Sequence, residues 1–239
     1  MSCVNQNMPA WLPIPFLAFS LTLLIRAQDR AVRNQRQIKI WKPLSTLLVI
    51  AVCALSLTQP AGAFDAGYTL LILAGLVLSL VGDVLLIDQD NSRAFSAGLI
   101  AFLLAHVLYI AAFVHLQSTR RLEGRPVGEV AIGIGLIVAA AIVYRFLSPG
   151  LGTMRAPVIA YVLVISIMLH RAAAVALTYD GQPALPALLV SGALLFYLSD
   201  AILAVNKFRF GGRLPHYSLW NLSAYYAGQL LIALSASFI

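Results

Sequence analysis

Charge is scarce in this chain. Of 239 residues only 10% are Asp, Glu, Lys or Arg, 61% are hydrophobic, and the mean hydropathy is +0.89. Soluble globular domains carry about 25% charged residues, so a water-exposed, charge-coated enzyme is excluded and an integral membrane protein is indicated. Cysteine is nearly absent: Cys3 and Cys53, with no CxxC and no histidine nearby, support neither a disulfide framework nor a zinc ribbon. His115, His170 and His216 are dispersed, and no HxxxH or HExxH pair occurs, so no preformed metal site is expected. GxSxG, Walker A and GxGxxG elements are missing as well, which removes sequence support for a serine-hydrolase elbow or a nucleotide site. No cofactor is expected. The net charge of +7 does not point to nucleic acid, because the basic residues lie between apolar segments instead of forming one basic surface.

What the chain has in abundance is long apolar runs. A helix needs about 20 apolar residues to cross the hydrocarbon, with about 17 tolerated. That window, with polar and Pro/Gly breaks, predicts an all-α polytopic bundle, one membrane domain over 1–239, with eight spans near 10–27, 43–59, 66–87, 95–117, 127–147, 155–178, 184–206 and 216–238. The first run lacks a positive n-region, so it reads as a retained span and not a cleaved signal. Arg26, Arg30, Arg33, Arg36, Lys39, Lys42, Arg93, Arg145, Arg155, Lys207, Arg209 and Arg213 fall in the loops after spans 1, 3, 5 and 7, whereas the alternate loops hold Arg120, Arg121 and Arg125. Positive residues concentrate on the cytoplasmic side, so both termini are expected on the other side, with a bacterial inner membrane as the favoured location.

Two of these spans contain an acid. "GLVLSLVGDVLLI" carries Asp83 and "GALLFYLSDAILAV" carries Asp200, each one to two turns inside the expected cytoplasmic end. Aligned on the acids, Gly75, Leu78, Asp83 and Leu86 match Gly192, Leu195, Asp200 and Leu203. This weak repeat allows two four-helix halves. An ionised carboxylate facing lipid costs several kcal/mol, so both acids are expected to face the bundle interior and to share one cavity. Gly75, Ser79, Gly82, Asp83 and Leu86 fall on one helical stripe; Gly192, Phe196, Ser199, Asp200 and Leu203 form its match. Span 4 offers Phe102, His106, Tyr109 and Phe113 on another stripe. In span 8, Tyr225 or Tyr226 can face inward with Gln229, whose amide is expected to meet an acid or Tyr109. Asn206 and Lys207 close span 7. Lys42 and Pro43 open span 2, where Lys42 neutralises Asp83 or a lipid phosphate, or simply anchors the span. "RAQDRAVRNQRQIK" read as one helix puts Arg26, Arg30, Arg33 and Arg36 or Gln37 on one face suited to anionic head groups.

At "SLVGDVLLI", "FLLAHVLYI", "GALLFYLSDAILAVNKF" and "AYYAGQLLI", and at Lys42-Pro43, the chain resembles the lysoplasmalogenase, or YhhN-like, family across all eight spans. The resemblance implies a multi-pass hydrolase that cleaves the vinyl ether of a lysoplasmalogen, a lysophospholipid, into a fatty aldehyde and glycerophosphoethanolamine or glycerophosphocholine. It implies Asp83 and Asp200 as catalytic residues. Vinyl ether hydrolysis starts with protonation of carbon and passes through an oxocarbenium ion, so it needs an acid and a negative charge. Two carboxyls in one apolar site cannot easily both ionise, so the pair is expected to keep one proton between them. Lys42, Ser79, His106, Tyr109, Ser199, Asn206, Tyr225, Tyr226 and Gln229 are the expected substrate-positioning residues. The alternatives are a proton-coupled transporter or lipid scramblase built on the same acids, and a metal-dependent hydrolase using Asp83, Asp200 and His106 as ligands.

Overall fold

A computed structural model of the protein describes residues 10–29, 33–59, 65–88 and 91–239. These residues form eight α-helices: α1 (Ile14–Gln28), α2 (Gln35–Ser56), α3 (Ala66–Leu85), α4 (Ser92–Thr119), α5 (Pro126–Leu147), α6 (Arg155–Thr178), α7 (Ala184–Ala204) and α8 (Tyr217–Ser235). Among the described residues there is no strand. The helix starts follow local chemistry. Asn34, Asp65 and Asn91 each turn a side-chain oxygen onto the first free N–H groups of α2, α3 and α4, and Pro126 opens α5 where its missing N–H is not needed. Past α7 the chain widens into a π-helical turn, Val205–Arg209.

Two expectations are corrected at the start of α2. The Asn34 cap begins that helix at Gln35, so Pro43 lies inside it instead of opening it. The same cap splits the basic stretch. α1 stops at Gln28, Asn34 N–H folds back onto the Ala27 carbonyl at 3.0 Å, and the arginines do not share one helical face. Arg30 lies outside the described residues, as does Cys3.

Among the described residues six helical segments are long and apolar enough to cross a membrane: Gln35–Ser56, Ala66–Leu85, Ser92–Thr119, Pro126–Gly150, Gly152–Thr178 and Ala184–Arg209. Of the eight expected spans, α1 is only 15 residues long, about 22 Å at 1.5 Å per residue, and α8 is diluted by serine, asparagine, glutamine and tyrosine. The surface is that of a protein solvated by lipid. Val130, Ile134, Ile137 and Ile142 of α5, Val77 and Val81 of α3 and Leu104 of α4 are exposed, while Lys42, Thr46, Asp83, His106 and Gln229 are buried. Polar groups inside and aliphatic groups outside fit an integral membrane protein, which this chain is.

The helix pairings follow a repeating pattern. α1–α2, α2–α3 and α3–α4 pack in succession, and α5–α6, α6–α7 and α7–α8 do the same; α2 crosses to α8 as α6 crosses to α4. α3 and α7 therefore hold corresponding places, and so do Asp83 and Asp200. α7 and α8 meet backbone to backbone. A Cβ on Gly228 would stand 2.8 Å from Phe196 N and 2.9 Å from the Gly192 carbonyl, neither of which can swing aside. Gly228→Ala is therefore expected to lower stability by about 1–3 kcal/mol, read as a lower midpoint in denaturant titration of the detergent-solubilised protein. Gly135→Ala, which meets nothing within 4 Å, should match or slightly exceed wild type. Equal midpoints for the two variants would contradict this packing.

Candidate active site

The continuation of α2 through Pro43 carries Lys42 into the bundle, where its side chain is 6% exposed and Nζ lies 3.3 Å from Asp83 Oδ1. The same ammonium donates to the Asp83 carbonyl at 3.1 Å. Lys42 thus faces the acid of α3 and does not act as an exposed anchor. Asp83 Oδ2 accepts from Thr46 Oγ1 at 2.5 Å and from Tyr225 OH at 2.7 Å. Tyr226 OH donates to the Lys42 carbonyl at 2.9 Å, tying α8 to α2. One cation and two hydroxyl donors surround this carboxylate, which satisfies the conditions for keeping a charge in an apolar interior.

Asp200 has different company. Tyr161 OH of α6 donates to its Oδ2 at 2.6 Å, Ser199 Oγ stands 3.4 Å from Oδ1, and His106 Nε2 lies 3.7 Å from Oδ2. Among the described residues no Lys or Arg reaches it. His106 is fully buried, and neither ring nitrogen has a hydrogen-bond partner. Its ring packs edge-on against Phe196 at 4.7 Å and Tyr161 at 5.4 Å. Asp83 and Asp200 line one small chamber, with Lys42, Tyr225 and Asn221 among its walls. The two acids therefore share a cavity.

The remaining expected residues sort by distance from the acids. Gln229 reaches neither acid nor Tyr109: its Nε2 donates to Tyr225 OH at 2.9 Å, one bond removed from Asp83. This selects Tyr225 over Tyr226 as its partner. Ser79 and Tyr109 pair with each other at 3.3 Å, and Tyr109 lies over Gly75, where a Cβ would come within 2.4 Å of its ring. Asn206 Oδ1 accepts from Leu214 N–H at 3.0 Å and so closes the turn after α7. Sequence reasoning missed Thr46 and Tyr161. Thr46 sits one turn after Lys42, on the same face, and Tyr161 is the first hydroxyl in the apolar run of α6, so both carried a legible signal. Among the described residues no group of three His, Cys, Asp or Glu side chains could hold a metal ion, which leaves Asp83, Asp200 and His106 without the geometry of a ligand set.

Comparison with known proteins places this arrangement. The YhhN family model matches residues 37–236, a stretch that contains both acids and every partner named above. The chain belongs to the YhhN family. It is similar to lysoplasmalogenase TMEM86A of Bos taurus, 36% identical over 133 residues, covering 55% of this chain and 54% of that protein. It is also similar to lysoplasmalogenase TMEM86B of Homo sapiens, 37% identical over 138 residues, covering 55% and 49%. The chain spans about half the length of the curated relatives it matches. No solved structure gives a significant match.

Removing one partner of a buried ion pair costs about 3–5 kcal/mol, whereas removing both costs far less. Lys42→Met in this YhhN protein is expected to destabilise by that amount, and Lys42→Met/Asp83→Asn to recover most of it. Strict additivity in the denaturation cycle would show that the two side chains do not interact.

Proposed function

We propose that this protein is a membrane-embedded lysoplasmalogenase that hydrolyses the vinyl ether of a lysophospholipid, with Asp200 as proton donor and Asp83 as the fixed negative charge. The observation that carries the reading is the unequal environment of two acids in one cavity: Asp83 compensated by Lys42 and two hydroxyls, Asp200 facing no cation. The names of the similar proteins point to the same substrate class.

In this mechanism Asp200 gives its proton to the alkene carbon one removed from the ether oxygen. The alkene π electrons form the new C–H bond, and the adjacent carbon becomes an oxocarbenium ion facing the Asp83 carboxylate. The charge of Asp83 is fixed before the reaction begins, so the field that favours the cation needs little reorganisation. Water adds to the cationic carbon and loses a proton to the Asp200 carboxylate, which restores the acid. The hemiacetal then breaks its C–O bond to the glycerol oxygen, which takes up the hydroxyl proton, giving aldehyde and alcohol. The division of labour parallels that of glycosidases, which also pass through oxocarbenium-like transition states. Tyr161 orients Asp200 through Oδ2, leaving Oδ1 to carry the transferable proton. His106 packs beside it, and Tyr225 with Gln229 holds Asp83.

The same reading treats α1 and α8 as the first and last of eight membrane segments in two four-helix halves. The recurrence of helix pairings supports it. The distribution of basic residues, most of them in alternate loops, supports non-cytoplasmic termini in a bacterial inner membrane.

Purified protein given a lysoplasmalogen and its ester-linked counterpart should release free aldehyde from the first alone. Asp83→Asn and Asp200→Asn should each lower that rate by about 10²–10⁴ while eluting as wild type on size exclusion. Near-normal turnover in either variant removes the two-acid mechanism. Lipid or proton flux in proteoliposomes without aldehyde would favour a transporter instead.

A further inference from the structure

The acid chamber is not isolated. On the far side of Asp200 a second, narrow pocket runs between α4, α5, α6 and α7. Asp200 is its one charged lining residue, and its walls are otherwise aliphatic and aromatic, among them Leu99, Val143, Val158 and Val162. Asp200 and Leu203 belong to both cavities, so the two adjoin at the acid. In the other direction the acid chamber shares Gln28, Leu86 and Tyr217 with a larger polar basin, which carries Arg33, Lys207 and His216. Apolar slot, acid chamber and polar basin therefore follow one another in the order of the parts of a single-chain phospholipid.

We propose that the slot between α4 and α7 is the hydrocarbon-chain subsite, and that the chain enters it sideways from the bilayer between α4 and α5. The identity of the chain as that of the hydrolysed lipid rests on the function proposed above. The packing of α5 supplies the entry. This helix leans on α6 and on the turns at 148–150 and 205–209, makes no comparable packing with α4, and buries only Leu147. Val143 and Leu99 are half-buried at that seam, and Ile142 and Phe146 beside it face outward. A chain lying there would exchange one apolar environment for another and deliver its first carbons to Asp200. Two charged side chains on the basin side, exposed Arg33 and half-buried Lys207, would make the reverse orientation costly, because a hydrocarbon laid against them would desolvate them without offering hydrogen bonds in return.

The test is photo-crosslinking in lipid nanodiscs with an ether-linked single-chain phosphocholine bearing a diazirine at the end of its chain, with adducts mapped by mass spectrometry. Adducts are expected on Val143, Leu147 and Val162. Val162→Trp, and independently Val143→Trp at the less buried seam, should cut that labelling about tenfold, as the loss of a few buried methylenes would. In each variant the ratio of kcat/KM for long-chain over octyl-chain lysoplasmalogen should fall by a similar factor. Adducts concentrated in the basin at Lys207, His216 or Leu219, or spread evenly over the lipid-facing helices, overturn the proposal. Slot labelling without aldehyde release from wild type would leave the chain subsite standing and defeat the hydrolase reading; aldehyde release without slot labelling would do the opposite.

Discussion

An ammonium and a carboxylate held 3.3 Å apart inside a lipid-solvated bundle set the terms for the rest of this structure. Each charge alone would be prohibitively expensive there, and the pair is tolerable only with its remaining hydrogen-bond capacity filled. Thr46 and Tyr225 fill it on the carboxylate, and Gln229 fixes Tyr225 in turn. This requirement explains why polar side chains from α2, α3 and α8 converge at one depth. It also explains why α2 continues through Pro43: an exposed Lys42 at a helix mouth would leave Asp83 unpaired.

The second acid acquires its character by contrast. α7 stands to α6 as α3 stands to α2, and in each case the neighbouring helix supplies a hydroxyl to Oδ2 of the acid: Thr46 to Asp83, Tyr161 to Asp200. Lys42 has no counterpart at Asp200. Where the first acid meets an ammonium, the second meets an imidazole without hydrogen-bond partners. A repeated scaffold with one cation removed is a simple physical route to two carboxyls with separate tasks, one charged and one able to hold a proton, and the proposed mechanism depends on that separation. The flanking pockets extend the same logic, with a polar basin adjoining the acid chamber through Gln28, Leu86 and Tyr217 and an apolar slot adjoining it at Asp200.

Much of this was legible in the sequence because lipid solvation imposes strong rules. Apolar runs between polar breaks located every helix to within a few residues apart from the start of α2, and the cost of burying an acid turned Asp83 and Asp200 inward onto one cavity. The helical stripes through Gly75 and Gly192, and through His106 and Tyr109, do face the core. Local rules failed where two of them competed. Pro43 read as a helix start, but the Asn34 cap upstream begins α2 at Gln35, and the helix carries on through the proline despite the lost donor and the crowding of the preceding turn. The basic stretch read as one amphipathic face until that same cap divided it. Partner choice was illegible for a different reason. Gln229 lies within reach of several groups by spacing alone, and only the packing of α8 on α2 and α3 decides that Tyr225 accepts its hydrogen bond.

Under the proposed mechanism the two acids hold different protonation states in the resting protein, and infrared spectroscopy observes this directly. At neutral pH the protein should show a carbonyl stretch from one buried, protonated carboxyl that vanishes in Asp200→Asn and survives in Asp83→Asn. A band that survives Asp200→Asn, or that is lost instead with Asp83→Asn, would contradict the account.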